Sequence, residues 1–321
     1  MLPIPVATLA AMPLAEQPEC VRVLVPAKVN LWLSVGRPRP DGFHSITTVF
    51  QAVGLYDEVV ARPANGVRLK VSGPRSSAVP GSAVPSDSRN LAWRAAELLA
   101  EHAGVEPDVA LTLRKTIPVA GGMAGGSADG AAALLACAAL WRTGTPRAEL
   151  HALAAELGSD VAFPLHGGTA MGTGRGEELT PVLATGEYHW VFAVSGFGIS
   201  TADAYRELDR MRADGTAPDP IGAPDELLDA LRAGDCGRMA DALGNDLEEA
   251  ALSLRPSLRD VLDAGAELGA LAGVVSGSGP TVAFLCAHAD AARDLAEALD
   301  AAGVCEATRV ATSPAPGARV I

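Results

Sequence analysis

The sequence predicts an α+β protein with two domains. Its 321 residues are too many for one ordinary hydrophobic core and suit two. Predicted strands and helices mix without the regular strand–helix–strand repeat of a doubly wound sheet, which favours α+β over α/β. Hydrophobic residues make up 49% of the chain and charged residues 20%, so a sizeable core can form. Because aromatic residues make up only 4%, that core must consist mainly of Ala, Val and Leu.

The first half of the chain contains most of the predicted strands. Apolar patterns predict strands at 21–25, 29–35, 46–53, 57–62, 67–72 and 109–115. Helical periodicity predicts helices at 90–104, 128–141 and 148–157. A loop rich in Ser, Pro and Gly is expected at 73–89. Residues 167–176 carry five glycines and are expected to cross between domains, so we predict a first domain at 21–175 and a second at 176–321.

The second half contains more helix than strand. Strands are predicted at 189–195, 281–287 and 305–312, and helices near 201–213, 225–232, 236–243, 256–269 and 291–303. Residues 1–20 lack the basic start and apolar stretch of a signal peptide and are predicted to be a disordered extension. No apolar run reaches the length that a membrane span requires.

Charge and cysteine content exclude several classes of function. The net charge of −13 argues against a nucleic-acid partner, which needs a basic surface, but allows a phosphorylated small molecule held by backbone N–H groups. Lysine occurs only at Lys28, Lys70 and Lys115. Codon bias explains this rarity, although a retained lysine can also mark a site that needs a compact ammonium group. The five cysteines form no metal-binding spacing and fit a reducing cytoplasm.

The strongest motif is the run P-V-A-G-G-M-A-G-G-S-A from Pro118 to Ala128, between a predicted strand and a predicted helix. Glycine allows the backbone to adopt positive φ and to approach a ligand closely, so several N–H groups can converge on one anion. Ser127 could cap the helix or reach a phosphate or Mg²⁺. The run is neither a Walker A loop nor a dinucleotide fingerprint, and a flexible loop without a ligand is the alternative.

Two further motifs place a lysine and an aspartate in apolar surroundings. P-A-K-V-N at 26–30 surrounds Lys28 with apolar residues, so the lysine needs a partner if it is buried. G-S-D-V-A-F-P at 158–164 places Asp160 just after a predicted helix. A carboxylate near Lys28 would supply that partner and would stay ionised. The alternatives are an exposed lysine on an edge strand and a helix cap formed by Ser159 or Asp160.

Two weaker motifs complete the set. D-G-F-H at 41–44 predicts a hairpin turn followed by a core phenylalanine; alternatively, Phe43 and His44 could stack on a flat base and bond its edge. S-G-S-G-P at 276–280 allows a close approach to a neighbour or a phosphate, but turns before strands often have this composition.

Taken in their order along the chain, the five motifs resemble those of the GHMP kinases over residues 21–312. The glycine-rich loop and the last motif are general to the superfamily, whereas K-x-N followed by D-G-F-H resembles the members that phosphorylate 4-diphosphocytidyl-2-C-methyl-D-erythritol. The resemblance implies an S5-like N-terminal domain, a smaller α+β C-terminal domain and an active site in the cleft between them. It also implies ATP-dependent phosphorylation of the substrate's 2-hydroxyl, in the non-mevalonate route to isoprenoid precursors.

The resemblance also implies roles for individual residues. Lys28 and Asp160 would be the catalytic pair, and Asn30, Phe43, His44, Ser200 and Thr201 would bind the substrate. The residues that would bind ATP are Pro118, Val119, Ala120, Gly121, Gly122, Met123, Ala124, Gly125, Gly126, Ser127 and Ala128. ATP would donate the phosphoryl group with Mg²⁺. Ser127 is the one matched metal ligand, because the acidic ligand of some superfamily members has no clear counterpart in the sequence.

The implied partner is a small molecule that carries cytidine diphosphate, with no nucleic acid and no membrane. The protein is expected to be a cytoplasmic monomer or weak homodimer. Two alternatives stay open: a GHMP kinase for homoserine or mevalonate, in which D-G-F-H is a plain turn, and a non-catalytic nucleotide-binding sensor on the same scaffold. A sensor would be expected to lose the lysine or the aspartate, yet Lys28 and Asp160 are both present.

Overall fold

The computed structural model describes residues 18–73, 84–119 and 121–321. Most of the predicted extension, the middle of the loop at 73–89 and Ala120 lie outside these ranges. The described residues form two separate β-sheets with helices packed against them, which confirms the predicted α+β class.

The first sheet is built on two long antiparallel strands, β1 (Val21–Pro38) and β2 (His44–Pro63), which pair along most of their length. Two strands extend the sheet beyond β2: β4 (Val109–Arg114) is antiparallel to β2, and β3 (Arg68–Ser72) is parallel to β4. A hairpin of β5 (Thr169–Thr173) and β6 (Glu178–Pro181) also joins β2. Two short strands, β8 (Gly244–Asn245) and β12 (Arg319–Val320), pair with β1.

Two predictions for this part of the chain need correction. Each long strand was expected as two pieces, but the pairing register shifts between Pro26 and Ala27, so an irregularity absorbs the proline and β1 continues. The glycine-rich residues 167–176 were expected to cross between domains, yet they contain β5 and the turn towards β6. The domain boundary near residue 175 stays a prediction.

Helices cover the first sheet. They are α1 (Leu91–Ala103), α2 (Gly125–Trp141), α3 (Arg147–Leu157) and α4 (Ala162–His166). Helix α2 contacts α1, β1 and β2, and its alanines from Ala131 to Ala133 have no exposed surface. Small side chains allow this helix to approach its neighbours on several faces. The start of α2 is therefore held beside the strand that carries Lys28.

The second sheet has four antiparallel strands in the order β11-β7-β10-β9. These strands are β7 (Tyr188–Val194), β9 (Ala272–Val275), β10 (Val282–Cys286) and β11 (Ala307–Ser313). The accompanying helices are α5 (Thr201–Ala213), α6 (Asp225–Ala233), α7 (Cys236–Asp241), α8 (Glu248–Leu254), α9 (Ser257–Glu267) and α10 (Ala289–Ala302).

The hydrophobic core is shared between the two halves: one cluster joins residues of the first sheet and α2 to residues of β7 and β10. Leu33 and Val35 of β1 pack in the hydrophobic cluster of the second half. Asp246, just after β8, accepts a hydrogen bond from the Val35 N–H at 2.6 Å, and Arg212 of α5 donates to the Val35 carbonyl at 2.6 Å. Among the described residues, no helix is both long and apolar enough to cross a membrane.

Candidate active site

A cavity of about 750 Å³ lies where the two halves meet. All five sequence motifs contribute to its lining, although they are spread from residue 26 to residue 280. Residues of α5 complete the wall. This volume falls within the range of pockets that bind small organic ligands. The fold thus brings together five motifs that lie far apart in the sequence.

The glycine-rich loop ends in a helix start without a side-chain cap. Ala124, the residue before α2, has a left-handed backbone (φ 58°) and makes no capping hydrogen bond. Ser127 lies in the first turn of α2, so the expectation that it caps the helix is wrong. The first N–H groups of a helix have no partner within the helix, and together with the helix dipole they favour an anion. A Cβ at Gly126 would meet no atom within 4 Å, so this part of the loop is open.

Three motifs meet at the peptide group of Gly122. A Cβ there would lie 1.9 Å from the Ser276 carbonyl oxygen, and φ is +73°. The Gly122 carbonyl accepts hydrogen bonds from Lys28 Nζ at 2.7 Å and from Ser276 Oγ at 3.2 Å. Only glycine allows this close approach. Gly122 therefore holds the glycine-rich loop against both β1, which carries Lys28, and the 276–280 turn.

Lys28 is buried, with 4% of its surface exposed, so its interpretation as a lysine on an exposed edge is wrong. Its ammonium group donates to Asn30 Oδ1 at 2.5 Å as well as to Gly122. Lys28 and Asn30 lie two residues apart on β1, which places them on the same face of the strand. Asn30 Nδ2 in turn donates to Thr48 Oγ1 at 2.8 Å. Burial lowers the pKa of Lys28, and the nearby charge of Asp160 acts in the opposite direction.

Asp160 lies between α3 and α4 and lines the same cavity as Lys28. Neither Ser159 nor Asp160 caps a helix, because α4 begins after Val161 without a side-chain cap. The direct ion pair expected between Lys28 and Asp160 is not formed among the described contacts, since the lysine donates to Asn30 and Gly122 instead. The carboxylate therefore faces the cavity and is available to a ligand there.

The D-G-F-H turn forms another part of the cavity wall. Phe43 is 51% exposed, so its interpretation as a core residue is wrong. The Arg175 guanidinium lies over its ring, 5.1 Å from the centroid. His44 Nε2 lies 2.9 Å from Asp209 Oδ1, and the His44 ring packs against Tyr205 with 4.9 Å between ring centroids.

Sequence reasoning missed the contribution of α5. Tyr205 and Asp209 line the cavity together with the predicted Thr201. The three residues are spaced four apart, so they share one face of the helix. This spacing was the signal in the sequence that could have predicted their place at the site. Thr201 Oγ1 lies 3.0 Å from Ser278 Oγ, which joins the start of α5 to the 276–280 turn.

The structure brings most predicted site residues to the cavity. Those that line it are Lys28, Asn30, Phe43, His44, Pro118, Gly121, Gly122, Ala124, Gly125, Gly126, Ser127, Asp160 and Thr201. The others that the structure describes, Val119, Met123, Ala128 and Ser200, are not part of the lining. Met123 and Ala128 are buried in the core, and Ser200 is the exposed residue before α5.

A buried charged cluster beneath the loop was also missed. Lys115 contacts the carboxylate of Asp57 and lies 2.6 Å from Asp129 Oδ2 and 3.0 Å from the Gly125 carbonyl. Asp57 also accepts the Ile117 N–H at 2.9 Å. Burial raises the pKa of Asp129 to about 7, with Asp57 adding to the effect and Lys115 opposing it. The cluster ties the first turn of α2 to β2.

Comparisons with known proteins agree with this arrangement. The GHMP kinases N-terminal domain matches residues 90–168, and the GHMP kinases C-terminal family matches residues 227–305. A relative from Mycolicibacterium gilvum, named 4-diphosphocytidyl-2-C-methyl-D-erythritol kinase, is 57% identical over 303 residues, covering 94% of this chain and 92% of the relative. The fold, the uncapped helix start at the glycine-rich loop and these matches define the chain as a GHMP kinase.

Within that superfamily, the chain belongs to the 4-diphosphocytidyl-2-C-methyl-D-erythritol kinase family. A crystal structure of 4-(cytidine 5′-diphospho)-2C-methyl-D-erythritol kinase matches with a TM-score of 0.72 and 36% identity, over 91% of this chain and 98% of that one. A homoserine kinase from Cytophaga hutchinsonii matches with a TM-score of 0.74 over 97% of this chain and 100% of that one. At 21% identity, the second match shows the shared fold alone.

Proposed function

We propose that the chain transfers the γ-phosphoryl group of ATP to the 2-hydroxyl of 4-diphosphocytidyl-2-C-methyl-D-erythritol, a step towards isoprenoid precursors outside the mevalonate route. The observation that carries this proposal is the convergence of an uncapped helix start, a buried ammonium and a carboxylate on one cavity. The relatives with this enzyme's name, at 55–57% identity, support the choice of acceptor.

The phosphates of ATP would lie at the start of α2. The N–H groups of Gly125, Gly126 and Ser127 are free of side-chain caps and belong to residues that line the cavity. Phosphoryl transfer requires mainly alignment and stabilisation of charge on the transferring group. Lys28 would supply positive charge there, because its ammonium is fixed by Asn30 and by the loop carbonyl of Gly122.

Asp160 would accept the proton of the acceptor hydroxyl. Its carboxylate lines the cavity without a direct ion pair to Lys28, so a hydroxyl can approach between the two groups. Positioned general bases contribute about 10²–10⁴-fold to rate. Asp160→Asn is therefore expected to lower kcat at least about 100-fold in an ADP-release assay, with little change in ATP affinity. Asp214→Asn, at an exposed position after α5, is the matched control; near-normal turnover by Asp160→Asn would reject the assignment.

The D-G-F-H turn would hold the cytosine. Phe43 offers an exposed ring for stacking, and His44 lies beside it at the cavity wall. Asn30 would lie near the reacting hydroxyl, and Thr201 would contact the substrate from the start of α5. A cytidine-bearing alcohol is therefore expected to be a better phosphate acceptor than its core without the base. Equal use of both would contradict the role of Phe43 and His44.

The residues of the cavity fit a Mg²⁺ ion that is held mainly by nucleotide phosphates. In the described ranges, no group of three or more His, Cys, Asp and Glu side chains could hold a metal ion. Ser127 lines the cavity and offers an oxygen ligand. Mg²⁺ commonly takes one or two protein oxygens together with substrate phosphates and water. When bound, it would neutralise phosphate charge, while Ser127 would hold it at the start of α2.

The two alternatives differ from this proposal in the acceptor and in turnover. Homoserine and mevalonate carry no base, so a kinase for either would have no base for Phe43 and His44 to bind at the cavity wall. ATP binding without ADP release from any acceptor alcohol would instead favour a sensor. We further propose a cytoplasmic location, since the five cysteines are free, and no nucleic-acid partner, since the net charge is −13. The expected oligomeric state, a monomer or weak homodimer, stays a prediction.

A further inference from the structure

His44 is held from two directions by side chains of α5. Its Nε2 lies 2.9 Å and 3.1 Å from the two carboxylate oxygens of Asp209. One turn earlier on the same helix, Tyr205 packs against the imidazole at 4.9 Å between centroids. Only 8% of the His44 side chain is exposed. Since His44 begins β2 and α5 belongs to the second half, the imidazole is fixed across the cleft rather than by its own turn.

The Asp209 carboxylate is dedicated to this histidine among the described residues. No lysine or arginine forms an ion pair with it there, whereas its neighbours Asp203, Glu207 and Asp214 all pair with arginines of α5 or its end. Asp209 is also part of the cavity lining. A surface ion pair therefore does not account for its position.

The contact decides which nitrogen of His44 carries the hydrogen. An ionised carboxylate only accepts hydrogen bonds, so Nε2 must be the donor. In a neutral imidazole the other nitrogen, Nδ1, then presents a lone pair. Among the described residues, no protein group hydrogen-bonds to Nδ1. With His44 neutral, a ligand beside it would therefore meet an acceptor at Nδ1 rather than a donor.

We propose that Asp209 is a positioning residue that sets base specificity: by fixing His44 with Nδ1 as an acceptor, it makes the site select a pyrimidine with a 4-amino group and reject one with a 4-oxo group. The inference rests on the proposed function, in which His44 bonds the edge of the base. Cytosine offers an amino donor at this position and uracil offers only an oxygen. An acceptor facing an acceptor leaves both groups unpaired, which is how a polar site rejects a close analogue.

The test compares two acceptors that differ only in the base, the cytidine and uridine diphosphate derivatives of methylerythritol. The ratio of their kcat/KM values is measured for the wild type, Asp209→Asn and the control Asp214→Asn. An asparagine can donate to Nε2, so it permits the other tautomer. We expect Asp209→Asn to reduce the preference for cytidine at least about 10-fold, mainly through KM, while Asp214→Asn keeps the wild-type ratio.

Three outcomes separate the inference from the function on which it rests. A wild type that does not phosphorylate the cytidine acceptor overturns the proposed function. A wild type that uses it, with an Asp209→Asn variant that slows both acceptors equally, overturns the inference and leaves Asp209 with a structural role. The ¹⁵N chemical shifts of His44 in the wild type give a reading that does not depend on the variant: protonated Nε2 with unprotonated Nδ1 is expected, and the opposite tautomer or an imidazolium would overturn the inference.

Discussion

Lys28 combines a positive charge with a buried position. An isolated buried ammonium is costly, and the side-chain oxygen of Asn30 and the carbonyl of Gly122 offset part of that cost by accepting its hydrogen bonds. Burial still lowers the pKa of Lys28. An arriving phosphate would supply the missing negative charge, so the site is better suited to the ATP-bound state than to the empty one.

The lowered pKa of Lys28 predicts a pH dependence. Because the charged amine is the active form, kcat/KM for ATP should fall as pH rises, at a pH below the ordinary lysine value of about 10.4. In Lys28→Arg the guanidinium stays charged, so this alkaline decline should move to higher pH even though the bulkier side chain lowers kcat. Rate profiles between pH 6 and about 10.4 check this. An unchanged alkaline decline in the variant would contradict the role of Lys28.

The cluster of Asp57, Lys115 and Asp129 predicts a stability effect. Lys115→Met would leave two buried carboxylates without their cation, and breaking a buried ion pair in this way costs about 3–5 kcal/mol. Denaturant unfolding measures the loss, with Lys70→Met at an exposed position of β3 as the control. Asp129→Asn in the Lys115→Met background should restore part of the stability, because it removes one of the two buried carboxyl groups that lost their cation. Equal stability of Lys115→Met and wild type would contradict this account.

At the scale of elements, the glycine-rich loop acts as a connection as well as a ligand site. It joins β4 to α2, and its Gly122 carbonyl contacts both β1 and the turn before β10. A change at Gly122 should therefore affect stability and ATP binding together.

Gly122→Ala tests the close approach directly. The new Cβ would lie 1.9 Å from a backbone oxygen, in a φ region that alanine rarely adopts, so backbone must move. We expect a fall in Tm of several degrees and a rise of about 10-fold or more in KM for ATP, measured by thermal unfolding and ADP release. Gly126→Ala, whose Cβ has open space, should keep the wild-type Tm. Equal Tm values for both variants would contradict the packing role of Gly122.

Sequence patterns predicted the helices better than the strand boundaries. The periodicity of α1, α3 and α10 predicted those helices to within a few residues, since an apolar stripe must face the core. The continuity of β1 through Pro26 depends on a register shift against β2, and β5 joins the sheet by pairing with β2, which lies far earlier in the chain. Such pairing between distant segments leaves no local signal in the sequence.

At the scale of the whole molecule, the cavity depends on both halves. Lys28, Asp160 and the start of α2 come from the first, and Tyr205, Asp209 and the 276–280 turn come from the second. The His44–Asp209 contact bridges them at the end of the cavity where the base is expected. Substrate recognition should therefore be sensitive to how the halves sit against each other.

The sequence predicted the site residues that belong to recognisable motifs. It missed those that lie on the face of a helix or within an ordinary strand pattern. Lys28, Asp160 and the loop stand out because they place charge or glycine in apolar surroundings. Tyr205 and Asp209 resemble ordinary residues of an amphipathic helix, and Asp57 lies in a strand pattern. Their roles follow from contacts across more than 50 residues of sequence, as between Lys115 and Asp57, which local spacing does not encode.

The most direct test of the central claim is to mix the protein with ATP and 4-diphosphocytidyl-2-C-methyl-D-erythritol and to follow the reaction by ³¹P NMR. The account predicts ADP and, in equal amount, a new phosphomonoester on the 2-hydroxyl of the acceptor, with the cytidine diphosphate signals retained. No phosphoryl transfer to this acceptor, while homoserine or mevalonate is phosphorylated instead, would contradict it.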